Sequence, residues 1–225
     1  MREKFVETAR AWLGKREADG SFREIIDLYN TQKPLPRGYK VKYSDSWCAV
    51  FVTAVAIKAG LEKTVPCECS CGQMIRLAQE KGIWQEMDGF FAKSGDILLY
   101  DWDDSGVGDN GGWPEHVGIV EKNENGVMTV IEGNLDNAVA RRFVETDARY
   151  IRGFVCPKFL EETEYYPAFS GSTNSIVDAL KSLKIDSSYK NRKVIAQNNG
   201  FLNYTGKANE NLKMLALLKE GKLKK

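Results

Sequence analysis

The chain has 225 residues, 43% of them hydrophobic and 28% charged, with a net charge of +1. That is enough chain for one enzyme-sized domain and a smaller appendage, and the balance excludes the highly charged, core-poor class that stays disordered. No apolar run reaches membrane-spanning length, because Lys58 interrupts the longest.

Residues 2–18 place Phe5, Val6, Ala9, Trp12 and Leu13 at helical spacing, and the pattern fades at Ala18-Asp19-Gly20. The charged start lacks the apolar stretch and cleavage site of a secretory signal, so the expectation is a polypeptide made in the cytoplasm and released by another agent. A second helix fits residues 22–29, and Pro34 and Pro36 prevent its continuation. The lead Ser44-Asp45-Ser46 then runs into Trp47-Cys48-Ala49-Val50-Phe51-Val52, the start of a segment apolar on nearly every side. Such a segment reads as a buried central helix with Gly60 as its C-cap. Cys48 falls in its first turn, where the helix dipole and free N–H groups favour thiolate over thiol. Taken alone, the same cysteine also reads as one more small buried hydrophobe.

Five cysteines, with Cys67, Cys69 and Cys71 alternating, form no disulfide framework, so a reduced chain is expected. His116 is the only histidine, which disfavours a catalytic zinc site, and Cys-x-Cys-x-Cys is not a usual zinc spacing. The run reads instead as cysteines packed at the start of a helix through Met74, Leu77 and Ala78, capped by Ser70. No metal and no cofactor is expected.

From position 95 the pattern changes. Strands are predicted over residues 95–100, 116–121 and 127–132, the last two joined by the hairpin turn Asn123-Glu124-Asn125-Gly126, with further strands at 142–144 and 153–155. Helices first and an antiparallel sheet later argue for an α+β fold. In the loop 101–114, Asp101, Asp103 and Ser105 echo half of an EF-hand, with Asp109 and Asn110 nearby. Gly112 stands where the bidentate glutamate belongs, so the loop reads as a solvated turn.

Residues 161–173 read as a linker, and 174–225 as a small all-α domain of three short helices near the lower size limit for independent folding. That tail holds 11 Lys and Arg against 4 Asp and Glu, net +7, while the preceding part has 21 against 27, net −6. The charge suits an anionic polymer. No aromatic and glycine signature of RNA binding accompanies it, so nucleic acid is not expected as a partner. Nothing in the sequence sets an oligomeric state.

A nucleophilic cysteine needs a base, and the base needs an acceptor on its other ring nitrogen. His116 opens a predicted strand, and Glu132 and Asn134 return beside it through the hairpin. The four segments Trp47-Cys48-Ala49-Val50-Phe51, Lys93-Ser94-Gly95-Asp96-Ile97, His116-Val117-Gly118-Ile119-Val120 and Ile131-Glu132-Gly133-Asn134 together resemble the motif series of the CHAP family. These are the cysteine, histidine-dependent amidohydrolases/peptidases, relatives of NlpC-type and papain-like hydrolases. The resemblance spans residues 1–160. It implies a papain-like domain and hydrolysis of a peptidoglycan amide bond, as an N-acetylmuramoyl-L-alanine amidase or a stem or cross-bridge endopeptidase.

On that resemblance Cys48 is the nucleophile, His116 the general base and then acid, Glu132 the group orienting His116, and Asn134 a supporting polar residue; papain-like relatives orient their histidine with asparagine. The Cys48 backbone N–H serves the oxyanion, with Tyr43 or Ser46 as second donor. Trp47, Trp113 and Tyr43, with Trp102, line the substrate cleft, core packing being the alternative role for any one of the tryptophans. Ile185-Asp186-Ser187-Ser188-Tyr189 and Asn203-Tyr204-Thr205-Gly206 resemble short C-terminal modules of clostridial and phage cell-wall hydrolases. The expectation is a phage-endolysin-like enzyme with a catalytic domain over 1–160 and a wall-binding domain over 174–225, acting on peptidoglycan and an anionic wall polymer. The alternatives are an antibacterial toxin with the same chemistry, or a catalytically silent wall-binding protein.

Overall fold

The computed structural model describes residues 1–87, 89–105, 111–160 and 164–225. Contacts divide the chain into two compact units, Met1–Glu161 and Glu162–Lys225. The first unit is α+β. Its helices are α1 (Arg2–Arg10), α2 (Arg23–Tyr29), α3 (Cys48–Ala59) and α4 (Cys71–Glu80), with a 3₁₀ turn at Pro36–Gly38. Its strands are β1 (Trp84–Gln85), β2 (Ile97–Tyr100), β3 (His116–Glu124), β4 (Val127–Leu135), β5 (Ala138–Glu145) and β6 (Ile151–Val155). They form one sheet in the order β1-β6-β2-β3-β4-β5, antiparallel at every pairing.

α3 is the axis of this unit. Ten of its twelve residues are buried, which its lack of a polar face requires, and Gly60 ends it in the left-handed region at φ +71°. Phe5, Val6 and Ala9 of α1, Ile25 and Ile26 of α2, and Ile97, Leu99, Val117, Ile119 and Ile131 of the sheet share its core. The alternate strand residues Leu98, Tyr100, Val120, Val130 and Phe154 form a second core on the other sheet face, under Phe90 and Ala92. With both faces covered, β2 is buried at all four positions. The β3–β4 turn uses left-handed Asn125 and Gly126, the backbone a two-residue hairpin demands.

Several boundaries depart from the periodicity. α1 stops at Arg10 although Trp12 and Leu13 continue the apolar pattern. The following residues instead dock on the outer edge of β5, where Gly14 N–H donates to Val139 O, Val139 N–H to Lys15 O, and Glu17 N–H to Asn137 O. Trp12 remains buried through this docking. The two-residue β1 carries too little pattern to be read. The predicted strand at 142–144 extends over the whole of β5. Ser70 occupies the N-cap position of α4, but its side chain makes no capping bond there.

In the second unit, α5 (Ile176–Ser182), α6 (Tyr189–Asn198) and α7 (Ala208–Lys219) enclose Ile176, Leu180, Ile195, Met214, Leu215 and Leu218. Ser175 and Ser188 cap α5 and α6 by accepting from the N–H groups of Asp178 and Asn191. Residues 164–173, read from composition as linker, lie against this core. Tyr166 N–H donates to Leu223 O and Phe169 N–H to Leu218 O, and both rings pack on the cluster.

Candidate active site

Trp47 is the N-cap of α3 and its carbonyl accepts the first helical bond, from Phe51 N–H at 2.8 Å. The N–H groups of the first turn therefore have no carbonyl above them. Cys48 is 7% exposed. Its sulfur lies 3.8 Å from that of Cys71, the first residue of α4, so two helix N-termini converge on one pair of thiols. His116, at the start of β3, stands on the other side of Cys48 and acts on its thiol.

The other side of His116 is fixed by the sheet. Nε2 lies 2.9 Å from Oε2 of Glu132, a side chain with no exposed surface. Glu132 also accepts from Tyr100 Oη at 2.5 Å and from Arg142 Nε at 3.0 Å to each oxygen. Tyr100, His116, Glu132 and Arg142 come from β2, β3, β4 and β5, one residue from each of four adjacent strands. Among the described residues each hydrogen-bond partner of Glu132 serves as a donor, so the carboxylate is used as an acceptor, the condition for burying it. Nε2 must then donate to Glu132, and Nδ1 is the nitrogen left to face Cys48.

Register explains how Glu132 reaches the ring. Gly118, not His116, is its direct partner across β3–β4. A Cβ on Gly118 would lie 2.6 Å from Glu132 Cγ, so the glycine leaves the space through which Glu132 crosses diagonally to His116. Gly133 allows a second close approach. A Cβ there would fall 2.3 Å from Phe51 Cβ, so β4 sits directly on α3 only because the residue after Glu132 has no side chain.

The electrostatics follow from these contacts. The Cys48 thiol is held well below its ordinary value, first by the Cys71 hydrogen bond and then by His116, against burial. For His116, burial acts to lower the value, but the bonds to Cys48 and Glu132 outweigh it and raise the imidazole to about 9. Burial pushes the Cys67 and Cys156 thiols up to about 12, and Cys71 is also raised, first by its bond to Cys48. The site is thus built to hold a Cys48 thiolate beside a His116 imidazolium.

The remaining predicted residues separate. Trp47 has no exposed surface, donates its indole N–H to Glu17 Oε1 at 2.9 Å and packs on Phe22, so its assignment to a substrate cleft is corrected to the core. Its large apolar ring surface is buried against Phe22. Tyr43 is 44% exposed, but its hydroxyl donates to Asp27 at 2.7 Å, and it lines a depression of about 470 Å³ with Asp27, Asn30 and Lys40. Ser46 lines a different hollow of about 230 Å³ with Arg37, Tyr39, Asp45 and Cys69. Asn134 makes no side-chain hydrogen bond among the described residues. It is left-handed at φ +58°, where the β4–β5 register shifts. Trp113 is 64% exposed and lies across Gly72, where a Cβ would come within 2.3 Å of its ring. Trp102 stacks on Tyr100 at 4.6 Å and lies 5.2 Å from the Arg142 guanidinium, covering the Glu132 group.

Sequence reasoning missed Tyr100, Arg142 and Cys71 as members of the site. Tyr100 and Arg142 fall inside predicted strands with nothing local to mark them as site residues, and only Cys71 stood in a motif already noticed. Of the residues in the calcium reading, Asp109 and Asn110 lie outside the described residues. Asp101 is buried, and its carboxylate accepts from Asp103 N–H. Among the described residues no cluster of three His, Cys, Asp or Glu side chains is arranged to hold a metal. No helix among them is long and apolar enough to cross a membrane.

The family model described as CHAP domain matches residues 38–134, which include Cys48, His116 and Glu132. A 58-residue stretch of the chain is 45% identical to the L-alanyl-D-glutamate peptidase of Listeria phage A118, and covers 25% of this chain and 21% of that protein. The chain thus spans about a fifth of the length of the curated relative it matches. Among solved structures, "The crystal structure of Ly7917" is similar at 16% identity and a TM-score of 0.35, over 70% of this chain and 62% of that one. The CHAP model begins at residue 38 and ends at residue 134, so α1, α2, β5 and β6 are supports outside the matched segment, and Arg142 is one of the residues they contribute.

Proposed function

We propose that the chain is a cysteine hydrolase that cleaves an amide bond of bacterial peptidoglycan, with Cys48 as nucleophile, His116 as general base and acid, and Glu132 as the residue orienting His116. The observation that carries this reading is the placement of Cys48 beside His116, whose Nε2 is paired with a buried Glu132, all within the segment that matches the CHAP domain model.

The Cys48 thiolate attacks the amide carbonyl, and the oxyanion forms at the head of α3, where the Cys48 backbone N–H and the helix dipole favour negative charge. His116 protonates the leaving amine and then draws a proton from the water that releases the thioester. Tyr43 is the weaker choice for a second oxyanion donor, because its hydroxyl already serves Asp27; Ser46, exposed two residues before Cys48, is free of that commitment. Trp113, exposed across the start of α4, is the aromatic surface best placed to receive a sugar or stem peptide.

We read the catalytic unit as papain-like and the second, helical unit as a wall-binding domain, the +7 charge of residues 174–225 matching an anionic wall polymer. The phage relative is named a peptidase for the L-alanyl-D-glutamate bond, which makes stem-peptide cleavage the first alternative to test and N-acetylmuramoyl-L-alanine hydrolysis the second. Digestion of purified Gram-positive peptidoglycan, followed by mass spectrometry of the fragments, distinguishes them by which new amine terminus appears. Release of no new amine terminus by wild-type protein, or equal release by Cys48→Ala, would overturn the enzymatic reading.

A further inference from the structure

Cys71 is a buried thiol that the reaction outlined above does not use. It is 7% exposed, opens α4, and places its sulfur 3.8 Å from that of Cys48. From the geometry of this pair we infer that Cys71 is a further catalytic residue: its S–H donates to the Cys48 sulfur and holds the nucleophile as a thiolate.

The direction of the bond follows from what surrounds each sulfur. Cys48 faces His116, behind which stand Glu132, Arg142 and Tyr100. Cys71 faces Cys48, has the negative charge of Glu115 nearby, and has no imidazole. Negative charge therefore settles on Cys48, and the proton the two sulfurs share stays on Cys71. A thiol is a weak donor to a neutral acceptor, but a bond to a thiolate is charge-assisted, and burial of both sulfurs keeps water from replacing it. Gly72 then admits the Trp113 ring close against the start of α4, beside Cys71.

The acidity of Cys48 can be read without any wall substrate, which separates this inference from the peptidoglycan reading on which its catalytic meaning rests. Trypsin releases Cys48 as the single cysteine of residues 43–58, apart from Cys67, Cys69 and Cys71. The experiment is iodoacetamide alkylation of the full chain across pH, quantified on that peptide, for wild type, Cys71→Ser and Cys71→Ala, with peptidoglycan digestion in parallel. A charge-assisted bond of this kind predicts that Cys71→Ala moves the alkylation midpoint of Cys48 upward by about one pH unit or more, a tenfold slower reaction on the acidic limb. Cys71→Ser keeps a donor and should restore most of the shift, and digestion should fall and recover in the same order. An unchanged midpoint in Cys71→Ala, with thermal melting showing a folded chain, overturns the inference. So does an equal upward shift in Cys71→Ser, which would mean that packing and not the donor matters. If wild type digests no peptidoglycan while the midpoint still moves in Cys71→Ala, the hydrolase reading fails and the thiol pairing stands.

Discussion

Cys48 and His116 draw their character from contacts neither residue makes with its own neighbours in sequence. Because His116 holds its proton to about 9 beside the lowered Cys48 thiol, activity should span a plateau whose alkaline limb falls near pH 9, measured as kcat/KM against pH; a limb near the ordinary histidine value of 6.5 would contradict the ion pair. Stability follows the same groups. The raised His116 contributes stability that is fully present below about pH 6.5 and lost as pH rises through about 9. The depressed Cys48 contributes stability present above the ordinary thiol value and lost as pH falls through its folded value. Glu132→Gln keeps the shape but leaves Arg142 facing a neutral amide and frees the His116 ring. We expect a loss of ~10²–10⁴-fold in kcat with little change in KM, checked by steady-state kinetics on a soluble wall fragment. Trp113→Ala should raise KM and spare kcat if the indole only receives substrate.

At the scale of elements, the site is the crossing of α3 with four strands, and glycine controls how close they come. Gly133→Ala would put a methyl within 2.3 Å of Phe51 Cβ, forcing β4 off α3 and carrying Glu132 with it. We expect a cost of ~1–3 kcal/mol, read as a lower melting temperature, together with a fall in kcat that a surface alanine substitution does not produce. Much of this level was legible beforehand. The all-round apolar pattern of α3 and its glycine stop, the Asn-Gly hairpin and the position of His116 at a strand start are local properties of short segments. α1 was read too long because Trp12 and Leu13 obey helical spacing, while the backbone after Arg10 bonds to the edge of β5. Asn134 was paired with Glu132 as a partner of His116 because the two lie close in sequence. The backbone turns left-handed at Asn134, and its side chain has no hydrogen bond among the described residues.

For the whole molecule, the division into Met1–Glu161 and Glu162–Lys225 gives each unit its own core, so removal of the second should leave the first folded. A chain ending at Leu160 is expected to cleave soluble wall fragments at the full-length rate and to lose sedimentation with intact cell walls. Binding by the full chain should weaken as salt screens the +7 tail. Equal wall binding by the truncated chain would remove the role assigned to the second unit. The sequence by itself determined the helix-then-sheet order, the buried helix headed by Cys48, the single available imidazole and the charge asymmetry, since each depends on residue type and short-range spacing. Only the tertiary structure decided that Trp47 is core, that Tyr100 and Arg142 complete the Glu132 group, and that Cys71 meets Cys48. Those facts depend on which strands become neighbours and where two helix starts converge, and long-range packing sets both.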